Sequence, residues 1–214
     1  MNPRPDPSKS SDRIRETVIV SGRTFLLDRP AGSPRTEDDS IPYWSELWPA
    51  ARMLAKAVLR EPWERFPQPV ECLEIGCGLG LGGIAALACG LDVTFCDRDE
   101  TALRFASGNA RLNGFDRFRI EKLDFGSPPA GLSVPVIIGS DVLYKPPLID
   151  PVVAFLGAVL SPAGIGLIAD PDRASARPFR EAAERAGFRV ESQFIRAGEP
   201  GGERHKGTLY RIAK

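Results

Sequence analysis

From residue 70 onward, short runs of apolar and β-branched residues alternate with longer stretches whose apolar positions recur at helical spacing, so strand and helix are predicted in turn. Strands are expected over 70–75, 92–96, 118–122, 136–140 and 164–169, with helices over 81–88, 100–113, 147–160 and 174–186. Two closing strands, 187–195 and 207–212, flank a Gly/Glu/Pro-rich loop short enough for an antiparallel hairpin. This order predicts an α/β fold: a doubly wound, mostly parallel seven-stranded sheet with a C-terminal antiparallel hairpin. Upstream, 16–28 reads as an N-terminal β-hairpin turning at Ser21-Gly22, outside the main sheet. Residues 43–59 carry a helical pattern led in by Pro42 and Pro49 and ending before Glu61-Pro62. The stretch 29–40 reads as loop, and 1–13 as a disordered arm with too little apolar content to fold. The remainder, 14–214, is expected to be one domain, with the hairpin and loop at 14–41 and the core at 42–214.

Charge and cysteine usage narrow the chemistry. Of 214 residues, 28 are basic and 28 acidic, so no basic field advertises a nucleic-acid or membrane partner. No apolar run reaches membrane-spanning length and no apolar signal core opens the chain, so a cytoplasmic protein is expected. The cysteines, Cys72, Cys77, Cys89 and Cys96, form no C-x-x-C pair, and His205 is the single histidine; no metal site is expected. Reduced core thiols are the simplest reading, with Cys77 positioned to touch a ligand as well. His205 falls in the Gly/Glu/Arg-rich loop, so the commonest general base is missing and catalysis has to be argued without it.

The strand over 70–75 breaks at Gly76-Cys77-Gly78-Leu79-Gly80 into a small-residue helix, a tight turn whose helix start offers unpaired N–H groups to an anionic or polar ligand. Gly78 to Gly83 also match the dinucleotide fingerprint, which leaves a nicotinamide-dependent oxidoreductase open. In an open parallel sheet, ligands bind beyond the carboxyl ends of the strands where strand order reverses, so the residues just after each strand are the candidates. Asp97, after the second, suits a pair of ribose hydroxyls, while Asp99 suits the N-cap of the following helix. Asp124 and Phe125, after the third, suit the amino group and face of an adenine. After the fourth come Ser140, Asp141 and Tyr144, an acid and a phenol where a reacting group should meet its acceptor.

With Glu74 in front, the run Glu-x-Gly-x-Gly-x-Gly resembles the first motif of the seven-stranded S-adenosylmethionine-dependent methyltransferases, which have a Rossmann-like core. Asp141-x-x-Tyr144 resembles the signature of the Asp-x-x-Tyr lysine methyltransferases (methyltransferase family 16). Trp48-Pro49, Asn109-Ala-Arg-Leu-Asn113-Gly and Asp124-Phe125 match as well. Within that family, Pro42-Tyr43-Trp44, Leu47-Trp48-Pro49 and Asp170-Pro171-Asp172-Arg173 look most like the electron-transfer-flavoprotein β-subunit lysine methyltransferases and their bacterial relatives. The resemblance covers the chain from about Tyr43 to its C-terminus.

It implies S-adenosyl-L-methionine as cofactor, held in the core by Trp48, Glu74, Gly76, Cys77, Gly78, Gly80, Asp97, Asp124, Phe125 and Ser140. It also implies a protein-lysine substrate, with the electron-transfer flavoprotein β subunit as a candidate partner, and Asp141 and Tyr144 facing the acceptor. Many relatives carry tryptophan where Phe125 stands. On residue spacing alone, Trp44 and Trp48 also read as an i, i+4 buried helix pair, and Asp170 to Arg173, at the same rim, read equally as a surface for the substrate protein and, through Asp170 or Asp172, as helix caps. The rivals are a small-molecule amine N-methyltransferase, the nicotinamide enzyme and a non-catalytic binding module.

Overall fold

The computed structural model describes residues 13–31, 43–198, 202 and 204–214. The arm at 1–12, most of the loop at 32–42 and most of the closing loop (199–201 and 203) lie outside the described residues. Strands β1 (Arg13–Val20) and β2 (Arg23–Pro30) pair antiparallel about Ser21-Gly22 as a separate two-stranded sheet, so Arg29 and Pro30 belong to a strand and not to the loop expected from 29.

Next come α1 (Pro49–Val58), β3 (Glu71–Ile75), α2 (Leu81–Leu87), β4 (Asp92–Asp97), α3 (Glu100–Leu112), β5 (Arg119–Lys122) and β6 (Val134–Ser140). The chain continues through α4 (Ile149–Val159), β7 (Leu160–Asp170), α5 (Phe179–Arg185), β8 (Arg189–Gly198) and β9 (Arg204–Ala213). The main sheet has seven strands in the order β5-β4-β3-β6-β7-β9-β8. The first five are mutually parallel, and β9 runs antiparallel to both β7 and β8.

Three expectations change. The helix over 43–59 starts only at Pro49: a single 3-10 turn, Tyr43–Ser45, precedes it, and Trp48 is the extended N-cap at ψ 150°. Proline disfavours helical geometry in the residue before it, which breaks the i, i+4 pairing of Trp44 with Trp48. The helix over 174–186 is likewise divided by Pro178 into a 3-10 turn, Ala174–Ala176, and α5. His205 is an exposed residue of β9, not of the closing loop.

Alternation along the parallel strands sends side chains to two cores. Leu54 of α1, Ile84 of α2 and Leu103 of α3 pack on one face with Phe95, Val136 and Ile138. Phe155 of α4 and Phe179 of α5 pack on the other with Leu73, Ile75, Ile137 and Ile168. The glycine turn is locked onto this frame by Glu74, a buried acid one residue from the end of β3. Its carboxylate lies against Gly82 and Gly83 at the start of α2, whose amides favour its charge, while Oε2 makes no well-directed hydrogen bond. An added Cβ at Gly83 would strike the Phe95 ring and the Glu74 carboxylate, so the last glycines of the run are small for packing and not for a ligand.

The hairpin is tied down by α3. Asn113 exchanges hydrogen bonds with both backbone groups of Leu26 (2.9 and 2.7 Å), and Asn109 does the same with Asp28 (2.7 and 3.1 Å). Four helical residues rise about 6 Å and two strand residues about 6.6 Å, so asparagines spaced i, i+4 meet alternate residues on the outer edge of β2. Asn109 Nδ2 also donates to Leu79 O in the glycine turn at 3.0 Å.

Removing the Asn113 amide strands the Leu26 backbone groups. Asn113→Ala should therefore destabilise the fold by about 2 kcal/mol, read as a lowered melting temperature with the affinity for S-adenosylhomocysteine retained. Burial lifts the Glu74 carboxyl to about 8, against the two amides that favour its charge, with Asp97 adding to the rise. A folded-state value above the unfolded one means a stabilising contribution that is complete below about 4.5 and is lost as pH rises through about 8. Thermal melts of Glu74→Gln should show a flatter pH dependence across that window than the wild type; an unchanged slope would mean that Glu74 does not titrate there.

Candidate active site

The chain builds outward from β3 to β4 to β5, then returns to lay β6 against the other side of β3. Strand order therefore reverses between β3 and β6, and the loops leaving their carboxyl ends part to leave a crevice. A cavity of about 730 Å³ occupies this place and is lined by residues following all four of these strands.

On one wall, Gly76, Gly78 and Gly80 take positive φ of 58°, 52° and 84°. An added Cβ at Gly78 would sit 3.5 Å from Trp44 O, an ordinary contact, so the backbone conformation is what requires glycine there. The turn is held by Asp97 at the end of β4, whose Oδ2 accepts from Gly78 N (3.1 Å) and Oδ1 from Asp99 N (3.0 Å). Asp99 caps α3 through Thr101 N at 2.7 Å, which leaves Asp97 free of that duty. Burial raises the Asp97 carboxyl, partly opposed by the amides it accepts from.

Cys77 lines the cavity, donates its backbone N–H to Cys96 O at 2.9 Å and has a buried thiol whose pKa burial pushes well up, so it packs under the turn as an un-ionised thiol. Asp124 accepts from Gly126 N at 2.8 Å in a local turn that sets Phe125 beside it, and both line the cavity.

The opposite wall is made of side chains. Ser140 ends β6, and Asp141 follows in the left-handed region at φ 58°, fixed by its N–H to Ala169 O at 3.1 Å. Tyr144 stacks on Tyr43 with ring centroids 4.6 Å apart, and Trp48 donates its indole N–H to Tyr43 O at 2.6 Å. Asp141 is not open to solvent: Arg173 Nη1 lies 2.5 Å from its Oδ1. The same nitrogen reaches Asp170 Oδ2 at 3.3 Å, while the guanidinium carbon lies 5.8 Å from the centre of the Trp48 ring. Desolvation raises the Asp141 carboxyl to about 6, against the pull of Arg173. Asp170, fully buried, accepts from Arg173 N at 2.7 Å. It therefore organises the loop after β7 instead of offering a surface to a partner.

Every residue the sequence proposed for the site lines this one cavity, Trp48 and Glu74 included. Glu74 reaches it from beneath, being only 2% exposed. Two contacts were not found, although both residues stand in motifs that the resemblance rests on. Tyr43 was legible only as part of an aromatic cluster before Pro49, and the partner of Asp141 could not be found because Arg173 lies 32 positions away by residue number. Among the described residues no His/Cys/Asp/Glu cluster could hold a metal ion, and no helix is long and apolar enough to cross a membrane.

Sequence comparison shows the family, and fold comparison the shared architecture. The mouse histone-arginine methyltransferase METTL23 is 27% identical over 161 residues, covering 67% of this chain and 62% of that protein. The ribosomal protein L11 methyltransferase of Syntrophotalea carbinolica is 41% identical over 105 residues, 48% of this chain and 34% of that one. The chain thus spans about three fifths of the mouse relative and a third of the bacterial one. The ribosomal protein L11 methylase of Lactobacillus delbrueckii subsp. bulgaricus superposes with a TM-score of 0.59 at 20% identity, covering 77% of this chain and 79% of its own. Magnesium protoporphyrin IX methyltransferase of Synechocystis, solved with bound S-adenosylhomocysteine, gives 0.61 at 14% identity over 77% and 83%. These two likenesses establish the shared fold. The lysine methyltransferase family pattern matches residues 37–183, a span that holds both walls of the cavity, and the chain belongs to that family.

Proposed function

We propose that this chain transfers a methyl group from S-adenosylmethionine to the side-chain nitrogen of a protein lysine. The observation that carries the reading is a single cavity lined both by the glycine turn with Asp97 and by Asp141, Tyr144 and Trp48. The residues present fit that donor. The backbone of the turn and the start of α2 suit its amino-acid end, Asp97 suits the ribose hydroxyls, and Asp124 with Phe125 suits the adenine. When bound, S-adenosylmethionine supplies a methyl group already activated on a sulfonium, so the transfer is an in-line displacement.

The chain's own task is alignment, exclusion of water and reception of an unprotonated amine. A lysine amine with a pKa near ~10.4 is mostly protonated at neutral pH, and a lone carboxylate would keep it so. Asp141 therefore orients the acceptor, its charge offset by Arg173, and the amine loses its proton to solvent before the site closes. The stacked faces of Tyr43 and Tyr144 suit the cationic product.

A protein arginine is the second reading, favoured by the mouse histone-arginine relative and by the guanidinium already lodged against Asp141. Incubating lysate with radiolabelled S-adenosylmethionine and separating protein from small molecules tests both readings. A labelled protein, mapped to lysine or arginine by mass spectrometry, decides between them. Label confined to small molecules would replace both with an amine N-methyltransferase. The electron-transfer flavoprotein β subunit is the first purified acceptor to try.

Gly78→Val forces a β-branched residue to φ 52° and should weaken S-adenosylhomocysteine binding by more than about tenfold, measured by calorimetry. Asp141→Asn should leave that affinity within a few-fold while turnover falls by about 100-fold through misplacement of the acceptor. Joint loss of both would make Asp141 part of the cofactor site instead.

A further inference from the structure

Arg173 sits in surroundings that a guanidinium seldom meets by chance. Three separate segments supply them: Trp48 from the N-cap of α1, Asp141 from the loop after β6 and Asp170 from the end of β7. We propose that Trp48, Asp141 and Asp170 form a cation subsite at the acceptor end of the cavity, which the chain fills with its own Arg173 until an acceptor's ammonium or guanidinium displaces it. The inference rests on reading this cavity as a methyl-transfer site.

The contact geometry is that of a replaceable occupant. Arginine–carboxylate pairs are frequently two-pronged, as Arg15 is with Asp28, whereas here one nitrogen, Nη1, serves both acids at 2.5 and 3.3 Å. Both Asp141 oxygens are buried without a well-directed hydrogen bond. Asp170, by contrast, is anchored by the Arg173 backbone N–H, which fixes the loop whether or not the guanidinium is in place. The Arg173 side chain keeps 25% of its surface exposed, so it is not walled in.

Space for withdrawal exists as well. Arg173 lines both the main cavity and a second one of about 340 Å³, so open space borders this residue on both sides. In the second cavity Asp172 offers a counter-charge, but Arg177 and Arg180 also line it. A guanidinium moved there meets like charge, which favours its return and makes the filled subsite the resting arrangement.

Two buried acids without a cation are costly, and one cation answers the need. Arg173 and the arriving cation are thus mutually exclusive, and an acceptor that arrives without a charge cannot replace the one displaced; once a lysine acceptor has given its proton to solvent, Arg173 again offsets Asp141. Arg173 becomes a specificity-determining residue.

The test is a vacancy filled from solution. Methylguanidinium chloride is titrated against wild type and Arg173→Ala, with sodium chloride at equal ionic strength as the reference, and melting temperature and tryptophan fluorescence are followed. Arg173→Ala should gain a saturable response, its melting temperature rising by about 3 °C at tenfold excess over Kd. The wild type should show none, and adding Asp141→Asn to Arg173→Ala should abolish the gain. If Arg173→Ala does not fold, Arg173→Met keeps the stem and takes its place. A variant that binds S-adenosylhomocysteine as the wild type does, yet answers methylguanidinium no differently from sodium chloride, would overturn the inference. Calorimetry of wild type with S-adenosylhomocysteine separates the two claims: failure to bind it removes the methyl-transfer reading, whereas the methylguanidinium response reports on the subsite alone.

Discussion

Two buried carboxylates hold one loop, and the cavity exists because they do. Glu74 lies under the amides that open α2, which favour its charge, and Asp97 accepts from the amide of Gly78 at the end of β4. Neither carboxylate is comfortable there, since burial raises the pKa of both and backbone N–H groups are what keep them compatible with the interior. The turn is consequently fixed from inside the protein, and its other face is left clear at the point where the sheet divides. Replacing these acids by apolar residues would fill the volume and leave the turn's amides without acceptors.

The two walls of the cavity are made of different material. The turn wall is backbone, dipoles and two acids, which fits a ligand that never changes. The acceptor wall is aromatic rings and a charge cluster on loops after β6 and β7, with Asp141 held in a backbone conformation that non-glycine residues seldom adopt. Specificity can be altered on that side without disturbing the turn, since no hydrogen bond described here joins Asp141 or Arg173 to residues 76–80. The named relatives, one a histone-arginine and one a ribosomal protein L11 methyltransferase, differ in their stated substrates.

Much of this was legible in the sequence because it is local. The strand and helix periods gave the sheet, and Glu74, the turn glycines and Asp97 were found because each lies at or near a strand end. What escaped depends on contacts distant along the chain. Nothing near Asp141 signals Arg173, and nothing in the spacing of Trp44 and Trp48 reveals that Pro49 sends them to different places, Trp44 over the turn and Trp48 against the guanidinium. The resemblance places Glu74 at the ligand, and its carboxylate lines the cavity from beneath while also lying against Gly82 and Gly83, a packing role that only the folded chain reveals. The asparagines of α3 were visible as a pattern without a purpose, because their purpose lies on β2, more than eighty residues earlier.

Those asparagines address only peptide groups. Asn109 and Asn113 bond the N–H and C=O of Asp28 and Leu26 and not their side chains, so beside the buried Val18, Phe25 and Leu27 it is α3 that sets where β2 docks. With its buried face kept, the hairpin can change its exposed residues while remaining docked in one position beside the glycine turn, to which Asn109 also bonds. It is an interchangeable collar on a fixed mount, and a lineage could rewrite its outer surface for a new partner without having to solve the docking problem again.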